Sequence, residues 1–432
     1  ADHVRQLARA ARAAGAQLAR ATGPDRRSIL LAIADELGRS DTRATLLAAN
    51  GQDMDEAAVL RDRGELSPAL VDRLALTTKK LDALCDGLGQ LADQVDLIGQ
   101  VQLERELDDD LVLRRVSCPL GVLGVVFEAR PDAVPQITGL ALRTGNAVLL
   151  KGGREARRSN AALVRCLQGT LRTQGFDPGA VALLEDRSEV DALLGLEREI
   201  DLIIARGSSA FVRHVQSKTT IPVLGHAEGL CHLYLHHSAP PPMAARIAVD
   251  AKCSYPAACN AIETLLWEPG AEPALVATVA ALQAQGVELR ACEATRERFD
   301  GLVPATEEDW STEYGELVLA VRRVDHIDAA LAHIERYGSR HTEAIVAQDE
   351  LAAATFMAAV DAAGVFHNAS TRFADGYRYG LGAEVGISTG KLHARGPVGV
   401  EGLVTYRWLL RGQGQVASDY GPGRRAFRHR TR

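Results

Sequence analysis

Residues 119–153 read PLGVLGVVFEARPDAVPQITGLALRTGNAVLLKGG, two short apolar runs separated by a longer periodic one. Val122 to Phe127 has no polar side chain, is rich in valine and is bounded by Gly121 and Glu128, which predicts a strand. Ala133 to Arg143 repeats apolar residues at helical spacing behind Pro131 and Asp132, and Ala147 to Leu150 is a second apolar strand. A strand that is apolar on both faces has to be covered on both, the condition of a parallel sheet with helical crossovers. The rhythm runs on through a helix at Glu155 to Arg172 and strands at Val181 to Leu184 and Leu202 to Ala205. It restarts near residue 226 as a second parallel sheet. Upstream, residues 3 to 95 are rich in Ala, Leu, Arg and Glu at helical spacing, for example Leu30, Leu31, Ile33, Ala34 and Leu37 behind Pro24-Asp25. Residues 100 to 118 become strand-like, with Leu111, Val112, Leu113 and Val116 among charges. An α/β protein is expected, and 432 residues at 47% hydrophobic imply two main domains.

Seven cysteines, at 85, 118, 166, 231, 253, 259 and 292, form no CxxC pair, so neither a disulfide framework nor a zinc cluster is expected. A reducing compartment suits them. No apolar run approaches the roughly 20 residues of a membrane span, and a soluble protein is expected. The net charge of −7 gives no general attraction to nucleic acid, so anion binding must come from local groups such as Lys151, Arg154, Arg157 and Arg158, or Lys391 with Arg395. A further basic run, Arg424 to Arg432, follows Gly421-Pro422-Gly423 and is expected to be a disordered tail. The chain opens on Ala1 rather than Met, from which a trimmed chain or an excised domain of a longer protein is expected.

Cys259 lies in Tyr255-Pro256-Ala257-Ala258-Cys259-Asn260, a loop between a helix and the apolar run Ile262 to Trp267. A nucleophilic thiol needs a lowered pKa and some exposure, and such a loop, with Lys252 and Asn260 nearby, is expected to supply both. A free cysteine is otherwise a core residue, and on the residues alone that alternative stays open.

Ligands of open α/β sheets sit at the carboxyl ends of strands. Two such ends carry charge: Val122 to Phe127 runs into Glu128-Ala129-Arg130-Pro131, and Ala147 to Leu150 runs into Lys151-Gly152-Gly153, where bare backbone can approach a nucleotide. No GxGxxG fingerprint follows either strand, and Gly380-Leu381-Gly382-Ala383-Glu384-Val385-Gly386 has the wrong spacing and reads as a loop. Cys231, His232, His236 and His237 lie on or beside the run Leu230 to Leu235, whose neighbours face opposite sides, and no zinc spacing occurs; no metal site is expected.

Several stretches together resemble the γ-glutamyl phosphate reductases of the aldehyde dehydrogenase superfamily. They are Pro119 to Val122 with Glu128 to Asp132, Leu150 to Glu155, Ile221 to His226, Ala257 to Asn260, and Phe366 to Phe373 continuing through Gly380 to Val385 and His393 to Gly399. Phe366-His367-Asn368 and Val398 to Gly402 are most similar to the reductase half of bifunctional pyrroline-5-carboxylate synthase. The resemblance implies a Rossmann-type cofactor domain at 1–226 and a catalytic domain at 227–400. It also implies a small oligomerisation strand pair, from 100–118 and 401–416, ahead of the tail at 417–432. The implied reaction is NADPH-dependent reduction of L-glutamate 5-phosphate to the 5-semialdehyde with phosphate release, a step of proline synthesis. Cys259 would form a thioester, with the Cys259 N–H and the Asn260 amide holding the oxyanion.

Resemblance also implies NADP binding by Lys151 at the adenosine ribose, with Gly152, Gly153, Glu128 and Ala129 beside it. Gly207 and Ser208 would lie near the pyrophosphate with Arg206 as an added cation, and Glu313 at the nicotinamide ribose. Arg130 and Arg372 are expected to take the substrate's carboxylate and phosphate, aided by Asn368, Ser370 and Thr371. Hydrolytic members of the superfamily carry a base in Glu-Leu-Gly-Gly; here the stretch reads Val223-Leu224-Gly225-His226, which favours phosphate over water as acyl acceptor. A homodimer or higher assembly, a fused or associated glutamate 5-kinase and a cytoplasmic, mitochondrial or plastid location are further implied. Two rival readings stand beside this one, a phosphate-independent dehydrogenase of another semialdehyde and a catalytically silent nucleotide-binding scaffold.

Overall fold

The computed structural model describes residues 2–128, 130–186, 188–226 and 228–431. Helices occupy most of residues 2–93. One of them, Gly23–Gly38, starts where Thr22 and Asp25 cap each other reciprocally, and it buries Leu30, Ile33 and Leu37 as their spacing predicts. Among the described residues, no helix is long and apolar enough to cross a membrane.

The strands then follow as β1 (Val101–Asp108), β2 (Leu111–Pro119), β3 (Val122–Phe127), β4 (Ala147–Lys151), β5 (Val181–Leu183), β6 (Leu202–Arg206) and β7 (Val223–Leu224). Next come β8 (Cys231–Leu235), β9 (Ile262–Trp267), β10 (Glu288–Ala291), β11 (Val303–Pro304), β12 (Val318–Arg323), β13 (Thr342–Val346) and β14 (Gly364–His367). Last are β15 (Ile387–Ser388), β16 (Gly396–Pro397), β17 (Val404–Arg411) and β18 (Arg430–Thr431).

A five-stranded parallel sheet runs β5-β4-β3-β6-β7, so its order reverses between β3 and β6, where a crevice opens at the carboxyl edge. A seven-stranded parallel sheet runs β11-β10-β12-β9-β8-β13-β14. The two sheets do not present the same edge to each other. Phe127 and Arg206 end strands of the first, whereas Cys259 and His341 precede strands of the second, and these residues gather around one cleft or touch each other. The carboxyl edge of the first sheet thus faces the amino edge of the second.

Val385, Ala394, Val398, Val400 and Leu403 belong to the hydrophobic core of the first sheet. The chain therefore crosses back after β14, and these residues pack with the first sheet rather than with the rest of 227–400. The strands at 100–118 and 404–411 do join, in a four-stranded sheet of order β17-β2-β1-β18. β17 is an edge strand with exposed Tyr406, Trp408, Leu409 and Leu410.

Part of the basic tail, expected to be detached, contacts the body of the protein. β18 pairs with β1, and buried Asp108 accepts from Arg425 at 2.7 Å and from the Tyr420 hydroxyl at 3.1 Å. A buried carboxylate needs such partners, and the tail supplies them. Removing its charge, Asp108→Asn, is expected to speed tryptic cleavage beyond Arg424 while the unfolding midpoint of the two-sheet body changes little.

Candidate active site

A cleft of about 1280 Å³ opens over the carboxyl ends of β3 and β4, and a second of about 550 Å³ lies toward Cys259. Phe127, Glu128 and Ser208 line both, so the two form one path.

Lys151, Gly152 and Gly153 line the larger cleft, and the Lys151 ammonium donates to the Gly152 carbonyl at 2.6 Å. A side chain at Gly152 would collide with Asn160 and Phe127, so packing itself keeps this backbone bare. Ser208 caps the Ser209–Lys218 helix, its hydroxyl accepting from the Phe211 N–H at 3.4 Å, and the positive end of that helix faces the cleft. Arg154 and Arg157 line the cleft, whereas Arg158 turns away to Glu56 at 2.6 Å and Asp53 at 3.4 Å. His214 and Lys218 add polar, basic groups that sequence reading missed, because a helix face is visible only once its packed side is known. Ala129, expected here, lies outside the described residues. Bare glycine backbone, a helix N-terminus and a set of cations on a reversing parallel sheet fit a dinucleotide.

Arg206 and Gly207, expected beside the cofactor, line the smaller cleft and not the larger, because β6 ends on the Cys259 side of the crevice. With them are Arg130, Arg372, Glu313 and Glu384. Burial pulls the Arg206 guanidinium below its ordinary value, opposed by Glu384. Glu384 and Glu313 are raised, burial being the first cause for each. Arg372 donates its Nε–H to Ser254 Oγ at 3.2 Å and lies over the Tyr255 ring.

The expected lowering of the Cys259 thiol is not found. Burial, then Glu384 and Glu313, push it up to about 12, while Arg206 and Arg372 pull the other way. Lys252 takes no part in this. It is fully buried, with Nζ 2.6 Å from Glu263 Oε2, and the pair ties the end of the Pro241–Cys253 helix to β9 on either side of the cysteine loop. Burial lifts Glu263 to about 7 against the pull of Lys252. Gly229 is a second scaffold feature, since a Cβ there would land within the Cys259 backbone.

Asn260, expected as an oxyanion donor, does line the cleft, with one of its two amide N–H groups already engaged. Its amide nitrogen donates to the Ala374 carbonyl at 2.9 Å, holding the cysteine loop against the 372–375 segment. Asn368, Ser370 and Thr371 do not line the cleft as expected. Asn368 has φ 53°, a conformation asparagine tolerates, and its side chain is spent on both backbone groups of Ala347 at 2.8 and 3.0 Å. That places it at the carboxyl edge of the second sheet, roughly a strand's length from the edge carrying Cys259. Ser370 caps the turn at Arg372 and Thr371 is buried. Cys231 and His232 do face opposite ways: the Cys231 thiol donates to the Cys259 carbonyl at 3.3 Å, and His232 meets Glu343 at 2.9 Å.

The sequence profile of the aldehyde dehydrogenase family matches residues 1–285. The chain belongs to the aldehyde dehydrogenase family. A fold of this kind implies a nicotinamide cofactor, in keeping with the larger cleft. The γ-glutamyl phosphate reductase of Cyanothece sp. is 54% identical over 427 residues, 98% of this chain and 97% of its own length. That of Synechococcus elongatus is 53% identical over 427 residues, again 98% and 97%. The crystal structure of the Thermotoga maritima γ-glutamyl phosphate reductase superposes with a TM-score of 0.91 at 37% identity, covering 96% of this chain and 99% of that one. At these identities over the whole chain, the protein is an oxidoreductase.

Two predictions test the site's electrostatics. Lys252→Met leaves a buried carboxylate unpaired and is expected to cost about 3–5 kcal/mol in urea unfolding, most of it recovered in Lys252→Met/Glu263→Leu. Removing a negative charge stabilises the thiolate, so Glu384→Gln is expected to lower the Cys259 pKa and speed its alkylation at pH ~8 several-fold, read by mass spectrometry of the Cys259 peptide.

Proposed function

We propose that the protein reduces L-glutamate 5-phosphate to L-glutamate 5-semialdehyde with NADPH, releasing phosphate, as a step of proline biosynthesis. The observation that carries this reading is Cys259 set among Arg130, Arg206 and Arg372 in one cleft, a nucleophile surrounded by cations suited to phosphate. The Cys259 thiolate attacks the acyl carbon, the C–O bond to phosphate breaks with its electrons going to the leaving phosphate, and a thioester forms. When bound, the nicotinamide cofactor supplies the hydride that reduces this thioester. Collapse of the resulting thiohemiacetal re-forms the carbonyl and returns sulfur to the enzyme.

Arg206 and Arg372 stabilise both the thiolate and the phosphoryl group, Arg130 holds the other anion, and the Cys259 N–H faces the developing oxyanion. Asn260 acts by positioning the loop. Asp375 and Glu384, in the same cleft, suit the α-ammonium. Lys151, with Arg154 and Arg157 nearby, favours NADP through its 2′-phosphate; Gly152, Gly153 and Ser208 leave backbone open to the pyrophosphate, and Glu313 receives the nicotinamide ribose. Without a glutamate in Val223-Leu224-Gly225-His226, the thioester is shielded from the hydrolysis that an ordinary aldehyde oxidiser performs. The exposed aromatic edge of β17 is where a second subunit would join, and a kinase that makes the acyl phosphate would be the enzyme's supplier.

The test runs the reaction in reverse. NADP reduction by glutamate 5-semialdehyde is expected to require phosphate and to fall by more than about 10⁴-fold in Cys259→Ala. Turnover indifferent to phosphate would favour a hydrolytic dehydrogenase, and NADP binding without turnover would favour a scaffold.

A further inference from the structure

Two histidines that the proposed reaction does not use meet at the nucleophile: His226 lines the smaller cleft, and His341 is fully buried beside it. One ring nitrogen of His226, one of His341 and the Cys259 sulfur lie within 4.8 Å of one another. His226 donates its Nδ1–H to the Ile387 carbonyl at 3.1 Å, which leaves Nε2 as the lone-pair nitrogen. His341 engages Thr342 through Nδ1 at 2.9 Å, and its Nε2 is buried with no hydrogen-bond partner. The three residues come from the end of β7, the loop before β9 and the residue before β13.

We propose that His226, His341 and Cys259 form a binding site for a borderline-soft divalent cation of the Zn²⁺ class, which caps the nucleophile and reversibly blocks it. Two imidazoles and one thiolate match the ligand preference of such a cation and leave a fourth position for water. The His226 bond to a backbone carbonyl is the outer-sphere contact that metal-bound imidazoles use to fix their tautomer. Zn–N and Zn–S bonds of about 2.0–2.3 Å set tetrahedral ligand atoms about 3.3–3.7 Å apart, so the three must close by no more than about 1.5 Å, within reach of side-chain torsions. Glu313 and Glu384, near the sulfur, add negative potential that favours a cation, while Arg206 and Arg372 oppose it. Binding exchanges the thiol proton for the metal: the S–H bond breaks, an S–metal bond forms and one proton is released to solvent.

Metal binding is read without turnover, so it stands apart from the proposed reaction. Metal-free protein is titrated with Zn²⁺ by calorimetry, and with Co²⁺ by absorption spectroscopy. One Zn²⁺ per chain is expected, with a thiolate-to-Co²⁺ charge-transfer band that Cys259→Ser removes. His226→Gln and His341→Gln are expected to weaken Zn²⁺ binding by at least about 100-fold. His226 is only partly buried, so its variant carries the test if the buried His341 variant does not fold. In an activity assay, added Zn²⁺ inhibits and a chelator restores. Affinity unchanged in His226→Gln and Cys259→Ser overturns the proposal. So does loss of binding confined to His237→Ala, which would assign the metal to the separate group of His236, His237 and Asp349.

Discussion

Parallel strands cannot be joined by tight turns, so each must be followed by a crossover that returns the chain to the same starting edge. That constraint aligns all carboxyl ends of a sheet on one side and all amino ends on the other. In this protein the carboxyl edge of the five-stranded sheet faces the amino edge of the seven-stranded one. The cleft between them is lined from one side by what ends β3, β4 and β6 and from the other by the cysteine loop before β9 and Glu313 before β12. Glycine-rich backbone and a helix N-terminus come from the first set. The cysteine loop comes from the second, with Gly229 and His341 packed against it.

The cysteine loop owes its place to buried polar contacts. Lys252 and Glu263 bracket it, Asn260 ties it to Ala374, and Gly229 lets the chain before β8 pass against its backbone. These contacts fix the loop so that Cys259, half-buried, lines the cleft, and burial of its thiol pushes it up to about 12. Two guanidinium groups and two carboxylates then compete over its charge state. A substrate that brings its own negative charge to Arg206 and Arg372 changes that competition, so ionisation of the nucleophile and occupancy of the cleft are linked through the same cations.

Much of the architecture is legible because it rests on local patterns. Val122 to Phe127 and Ile262 to Trp267 are strands to the residue, and Ala133 to Arg143 is a helix to the residue. The role of Asn368 is not legible in this way. Its neighbours resemble a binding loop, but its amide is consumed by Ala347 at the far edge of the sheet. Arg158 follows Arg154 and Arg157 in sequence, yet helical rotation turns it to Asp53 and Glu56. The tail reads as detached because its glycines and arginines have no period, and its partner Asp108 lies more than 300 positions away in the chain.

The period of each element, the two parallel sheets, the family and the cysteine loop all follow from the amino-acid order, because each depends on neighbouring residues. Which side chains meet is a product of the tertiary fold. His226, Cys259 and His341 share no spacing motif, and Arg206 and Glu384 are far apart in the chain. They become neighbours because crossovers of unequal length return to common sheet edges, and no short-range pattern encodes how long a crossover is or which edge it will face.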